Sequence, residues 1–305
     1  MNKTSVLIPT LNAGSNWITL LESIKNQNVV FDKLIIIDSG STDKTVQYAK
    51  DFGFTVLTIK KENFDHGYAS MLLSNAAEGS DILVYLTQDC ILADADSIRN
   101  LIAVFDDDKV ALAYGRQLPH KGAKILESHA RLFNYPDKSV IKKFEDRSEL
   151  GIKTTFSSNS FAAFRKVALD EIGGFAEKSI SGEEIIAGAK LLKKGWKVAY
   201  VAESKVYHSH DYTILEEFKR YFDIGVFHSV NQWMLDDFGK AYGEGLKYIQ
   251  SEFKYVLKNN ILVLPKMAFS FGAKFLGYKL GLRHSRFSKS TNRKLSMHKK
   301  YWNKV

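Results

Sequence analysis

Five short aliphatic runs separated by helix-length polar segments constrain this chain more than any other feature. Ser5-Val6-Leu7-Ile8, Leu34-Ile35-Ile36-Ile37, Thr55-Val56-Leu57-Thr58-Ile59, Ile82-Leu83-Val84-Tyr85-Leu86 and Val110-Ala111-Leu112-Ala113-Tyr114 read as buried strands. Between them, apolar residues recur at helical spacing, as with Leu20, Leu21 and Ile24 in a helix near 16–26. Strands alternating with helices through short connections predict a parallel, doubly wound α/β sheet covered on both faces. Such sheets bind ligands in the crevice beyond the carboxyl ends of their strands.

Two acids stand at those ends. Leu34–Ile37 runs into Asp38 and the turn Ser39-Gly40-Ser41, and Ile82–Leu86 runs into Thr87-Gln88-Asp89. If the strands share one sheet, both carboxylates face one crevice. Asp89 is then placed to hold a divalent cation against a diphosphate, and Asp38 to accept hydrogen bonds from a nucleobase or ribose. Neither G-x-G-x-x-G nor G-x-x-x-x-G-K-[ST] occurs, which argues against a dinucleotide fold and a P-loop ATPase.

The later chain is less regular. Residues 117–153 predict a loop or helix at the mouth of the site, and 154–164 a further strand. Arg165–Ile172 is a short helix closed by Gly173-Gly174-Phe175. Gly182-Glu183-Glu184 opens a helix to Lys194 with Gly195 as its cap, and Trp196–Val201 is the last strand. From Tyr212 onward the pattern is helical, so the expected division is an α/β domain over 1–211 and a helical region over 212–305.

Charge is distributed unevenly. The net charge is +9, but residues 253–305 hold 13 Lys/Arg and no Asp or Glu, leaving 30 basic and 34 acidic residues elsewhere. Such a segment favours a polyanion, here an anionic membrane surface. The run 261–282 is rich in Leu, Phe and Ala but is interrupted by Lys266, Lys274 and Lys279. It fits a helix lying in a membrane interface with snorkelling lysines better than a spanning one. The single cysteine, Cys90, reads as a small packed residue. It forms no internal disulfide, and Met1 to Val6 lead into a strand without a signal-peptide pattern, so a cytoplasmic protein peripheral to the inner membrane face is expected.

Four motifs in register carry a resemblance: Val6-Leu7-Ile8-Pro9-Thr10-Leu11-Asn12, Ile36-Ile37-Asp38-Ser39-Gly40-Ser41-Thr42-Asp43-Lys44-Thr45, Gln88-Asp89, and Gly173-Gly174-Phe175 with Gly182-Glu183-Glu184. From Ser5 to Thr213 the chain resembles family 2 glycosyltransferases of the GT-A fold, a Rossmann-like, mostly parallel sheet. Asn63-Phe64-Asp65-His66-Gly67 and Tyr207-His208-Ser209-His210-Asp211-Tyr212-Thr213 look most like bacterial dTDP-rhamnosyltransferases.

The resemblance implies roles. Pro9, Thr10 and Asn12 line the nucleotide pocket, and Asp38 contacts the base with Ser41 and Asp43 nearby. His66, Gly67, Gln88 and Glu183 complete the substrate-binding set. Asp89 is the metal ligand, the single acid of the family's Asp-x-Asp position, with His208 and then His210 beside it, so Mg2+ or Mn2+ is the implied cofactor. Glu184 stands where the family places its catalytic base, in a helix first turn whose dipole is expected to keep it ionised.

The expected activity is inverting transfer from a nucleoside-diphosphate sugar, dTDP-rhamnose first, to a lipid-linked saccharide of a bacterial surface polysaccharide. A UDP-hexose or UDP-N-acetylhexosamine donor is the alternative. A sugar nucleotidyltransferase is disfavoured because Pro9–Gly14 lacks the basic residues of its loop. No nucleic-acid motif is present, so no nucleic acid is expected as a partner. A homo-oligomer is compatible with the sequence.

Overall fold

The computed structural model describes residues 2–240 and 243–304; Met1 and Val305 lie outside them. Its frame is one mixed sheet of nine strands. β1 (Thr4–Thr10), β2 (Lys33–Asp38), β3 (Thr55–Thr58) and β4 (Ile82–Leu86) form the parallel half. β5 (Ile91–Leu92), β6 (Val110–Leu118), β7 (Val140–Lys142), β8 (Phe161–Arg165) and β9 (Lys197–Tyr207) complete it, in the order β3-β2-β1-β4-β8-β6-β9-β5 with β7 on β9.

The sheet is doubly wound because successive strand residues point to opposite faces. Leu7, Ile35, Ile37, Leu83 and Tyr85 enter one core, whereas Val6, Ile8, Ile36, Val84 and Leu86 enter the other. The second core is closed by α1 (Trp17–Lys25), α2 (Thr45–Asp51) and α4 (Ser97–Ala103). The first is closed by α3 (His66–Ala76), α7 (Lys166–Glu171) and α8 (Glu183–Lys193). Gly67 lets α3 approach the 175–177 loop, since a Cβ there would stand 2.0 Å from the Ala176 carbonyl oxygen.

Three local readings differ from the structure. The strand expected from Thr154 begins only at Phe161, and the segment from Asp94, whose composition reads as a helix through Phe105, turns helical only at Ser97, because Asp94 accepts from Asp96 N and Ser97 Oγ in a turn. β8 is also antiparallel to both β4 and β6 and separates them. An aliphatic run encodes a strand but not its direction, which depends on the connection that returns the chain. The segment after β6 carries α5 (Ile125–Asn134), β7 and the short α6 (Arg147–Leu150) over the strand ends before β8 enters.

The helical region comprises α9 (Ile214–Val230), α10 (Gln232–Phe238), α11 (Glu244–Asn259), α12 (Leu264–Gly281), α13 (Lys289–Leu295) and α14 (Tyr301–Lys304). It shares the first core: Phe222, Val226, Met234, Phe238 and Trp302 pack with Ile186 and Leu191. α9 and α12 meet backbone to backbone, because a Cβ on Gly277 or Gly281 would lie 2.3 or 2.0 Å from the carbonyl oxygen of Phe218 or Phe222. The other side of α12 leaves Phe269, Phe271, Phe275 and Leu276 exposed. By length and composition Ile261–Gly281 is apolar enough to cross a membrane, with mean hydropathy 1.2, and 22% of it is buried.

Candidate active site

Parallel pairing sets Thr10 beside Asp38 at the carboxyl ends of β1 and β2. Asp38 is buried, and its carboxylate is occupied by its own chain. Oδ1 accepts from Thr10 Oγ1 (3.1 Å) and Ser41 Oγ (2.5 Å), and Oδ2 from the Gly40 and Ser41 amides (2.9 and 2.8 Å). Around this turn, Asn12 N donates to Ser41 Oγ and Asn12 Oδ1 accepts from Thr42 N, both at 2.8 Å, with Asn12 at φ +46°. Asp43 Oδ1 accepts from Thr45 N and Oγ1, and the Thr45 hydroxyl draws its pKa below the ordinary aspartate value. Gln88 clamps Leu11 through both backbone atoms, at 2.8 and 3.1 Å. Asp38, Ser41, Asn12 and Asp43 thus form a hydrogen-bonded rim.

The second group is a metal-type cluster. Asp89 lies beyond β4, and His208 and His210 lie beyond β9. His208 Nε2 is 3.4 Å and His210 Nε2 3.7 Å from Asp89 Oδ2. One ligand atom from each of the three lies within 4.8 Å of the others. One carboxylate and two imidazoles suit a divalent cation. Burial of Asp89 opposes ionisation, but the His208 hydrogen bond and charge, with help from Thr87 and His210, outweigh it and hold the acid well below the carboxylate range. Burial, then the His208 charge, pushes His210 down to about 4.

His208 is held from behind by a residue for which the sequence offered no signal. Gln117, buried on β6, receives Arg131 Nη1 on its Oε1 at 2.7 Å and gives Nε2 to Ser158 Oγ at 2.9 Å. Its Oε1 meets His208 Nδ1 at 2.9 Å. An amide oxygen only accepts, so Nδ1 carries a proton and Nε2 is the ring nitrogen turned toward Asp89. Cys90, fully buried beside this group, gives its thiol to Ser160 O at 2.9 Å, and burial pushes its pKa up.

The third group is the start of α8. Glu183 is buried near Asn159, whose Nδ2 is 3.4 Å from Glu183 Oε1, and Glu184 is half-buried. The helix dipole alone would keep Glu184 ionised. Burial first, and then the neighbouring Glu183 carboxylate, instead push its pKa up from the ordinary value of 4.5. Desolvation and like charge outweigh the dipole, which makes Glu184 the stronger base.

Glu184 stands where two chambers meet. One, of about 510 Å³, runs past His208, His210, Arg131, Tyr212, Arg220 and Tyr221. The other, of about 170 Å³, includes Pro9, His66, Thr87, Asn159 and Glu183. Tyr212, Arg220 and Tyr221 also line a smaller pocket that reaches Lys266 and Lys274 of α12. Arg220, Arg131 and His298 were missed as lining residues, because they lie on helices or in the basic tail without a local motif; Tyr212 lies in the 207–213 run without a chemical signal of its own. The irregular segment 117–153 does supply the mouth through α5.

Residues 5–173 match the family described as Glycosyl transferase family 2. The chain is 47% identical to the O-antigen chain rhamnosyltransferase RfbN of Salmonella typhimurium over 99% of its own length and 97% of that protein. It is 42% identical to the O-antigen chain rhamnosyltransferase WbaN of Salmonella anatum, covering 100% and 97%. Among solved structures, the mannosyltransferase PcManGT from Pyrobaculum calidifontis in complex with GDP-Man and Mn2+ aligns with a TM-score of 0.58 at 16% identity, over 99% of this chain and 85% of that one. Staphylococcus aureus TarS 1–349 aligns at 0.53 and 15% identity, over 93% and 91%. At these identities the structural likeness speaks to the fold, which is GT-A.

Proposed function

The chain belongs to glycosyl transferase family 2, and on that premise we propose that it transfers rhamnose from dTDP-rhamnose to a hydroxyl of a lipid-linked saccharide, with inversion, during O-antigen assembly. Two relatives named as O-antigen chain rhamnosyltransferases, each covered over 97% of its length, support rhamnose as the sugar and the O-antigen chain as the product. One observation carries the chemistry: a basic carboxylate, Glu184, stands between a chamber bordered by Pro9, His66 and Thr87 and a larger chamber bordered by His208, Tyr212 and Arg220.

In this reading Glu184 takes the proton of the acceptor hydroxyl as its oxygen attacks the anomeric carbon, and the bond to the diphosphate breaks on the opposite side. Burial serves that step by making the base stronger. Asp89, His208 and His210 would hold a divalent cation, Mg2+ or Mn2+, which when bound supplies positive charge to the leaving diphosphate. Gln117 orients His208 for that task. Thr10, Asn12, Ser41 and Asp43, organised around Asp38, frame the nucleotide, with Gln88 fixing the loop after β1.

The acceptor saccharide occupies the larger chamber, where Tyr212 and Tyr221 offer ring faces and Arg131 and Arg220 offer charge. The tyrosine-lined pocket continues toward Lys266 and Lys274, so the lipid carrier leaves the protein at α12. The exposed Phe269, Phe271, Phe275 and Leu276 then lie in the cytoplasmic membrane interface, giving a peripheral enzyme with a catalytic unit over 1–211 and a membrane-facing unit over 212–305. The test is a donor-turnover assay across dTDP-rhamnose, UDP-glucose and UDP-N-acetylglucosamine with a lipid-linked acceptor. Preference for dTDP-rhamnose is expected, and turnover of a UDP-sugar alone would overturn the assignment of the donor.

A further inference from the structure

The last residues of the chain do not extend toward solvent. Asp223 of α9 accepts the Met297 and His298 amides on Oδ2, at 2.9 and 3.1 Å. Trp302 is buried with its ring centroid 6.4 Å from that of Phe222. Lys300 Nζ donates to Lys61 O at 2.9 Å, and Lys304 Nζ to Phe64 O at 3.0 Å, which caps the loop before α3. Part of the basic tail is therefore committed to the α/β body.

This strap carries His298 to the point where the internal spaces converge. His298 borders the 510 Å³ chamber and the 170 Å³ chamber, both shared with Glu184. It also borders a third, of about 330 Å³, with Leu11, His66, Lys299 and Lys300. Its ring stands edge-on to His66, centroids 6.1 Å apart. Among the described residues neither imidazole has a hydrogen-bond partner, although His298 is half-buried. Both rings therefore keep nitrogens available to a molecule that enters these chambers.

We propose that the C-terminal strap completes the donor site, with His298 contacting the diphosphate of the nucleoside-diphosphate sugar and Lys299 and Lys300 supplying positive charge at its entrance. The proposal rests on the glycosyltransferase reading and adds a binding residue from far beyond residue 173, where the family match ends. Burial, with the charges of His66 and Arg220, pushes His298 down to about 4. It therefore meets an anion as a neutral N–H donor, while the lysines carry the charge.

The full-length protein with Mg2+ is titrated with dTDP and with UDP by calorimetry, and donor and acceptor KM values are measured. His298→Ala should weaken nucleotide binding and raise donor KM by about tenfold or more, the scale of one lost hydrogen bond to a charged group, with acceptor KM unchanged. His298→Asn, which keeps an N–H, should recover part of the loss and covers the case in which the alanine variant does not fold. Unchanged nucleotide affinity in a folded His298→Ala, no recovery in His298→Asn, or equal losses for donor and acceptor would overturn the proposal. Failure of the wild-type protein to bind either nucleotide would instead overturn the glycosyltransferase donor reading beneath it.

Discussion

His208 donates its Nδ1 proton to Gln117 Oε1 across 2.9 Å, which leaves Nε2 turned toward Asp89 at 3.4 Å. With a single acid at the Asp-x-Asp position, an aligned imidazole is the natural substitute for the missing oxygen ligand. Gln117→Leu removes the acceptor and frees the ring to rotate. Metal affinity and kcat/KM should both fall by about 10–100-fold, the usual cost of losing a partner behind a metal ligand. Mn2+ titration followed by kinetics at saturating Mn2+ checks this, and unchanged metal affinity would separate His208 from metal binding.

Glu184→Gln preserves shape and removes the proposed base. Transfer should fall by about 10²–10⁴-fold, the range for general base catalysis, while dTDP binding is retained. Retained turnover would assign the proton transfer to another group.

The pH profile follows from the same residue. The Glu184 pKa is raised by burial and Glu183, and the proposed general-base role requires the ionised form. Activity is therefore lost as pH falls through the raised pKa, and kcat should climb with pH at values well above the ordinary glutamate 4.5. Glu183→Gln removes the neighbouring charge and should shift that limb toward lower pH. A limb that stays in place in Glu183→Gln would rule out charge coupling between the two.

On α12, Phe269→Ser with Phe275→Ser removes two exposed rings that touch neither chamber. Sedimentation with anionic vesicles should drop, while turnover of a water-soluble acceptor analogue stays the same. Deleting the whole tail is a poorer test, because it also removes the strap on Asp223.

Gly277→Ala places a Cβ 2.3 Å from the Phe218 carbonyl oxygen, with no flexible side chain to yield. About 1–3 kcal/mol of destabilisation is expected from such overpacking, read as a lower midpoint in thermal or urea unfolding. A neutral outcome would mean that α12 slides along α9 without cost.

Much of the candidate site's composition was legible because its signals are local. A β-branched run ending in Asp38 or Gln88-Asp89, and Gly182-Glu183-Glu184 opening a helix, announce strand ends and a helix start through residues adjacent in the chain. The motifs in register named the fold. The alternation of strands and helices placed β1, β2, β3 and β4 to within a few residues.

Tertiary structure decided what those groups are free to do. Asp38 is committed to Thr10, Gly40 and Ser41, and Glu184 is made more basic by the surroundings that bury it. His208 is oriented by Gln117 from a different strand, and His298 reaches the site from the far end of the chain. Hydrogen-bond partners, desolvation and strand direction depend on residues brought together only by folding. By itself, the sequence determined which chemical groups stand at the ends of its strands and helices; their protonation, orientation and free lone pairs came from long-range packing.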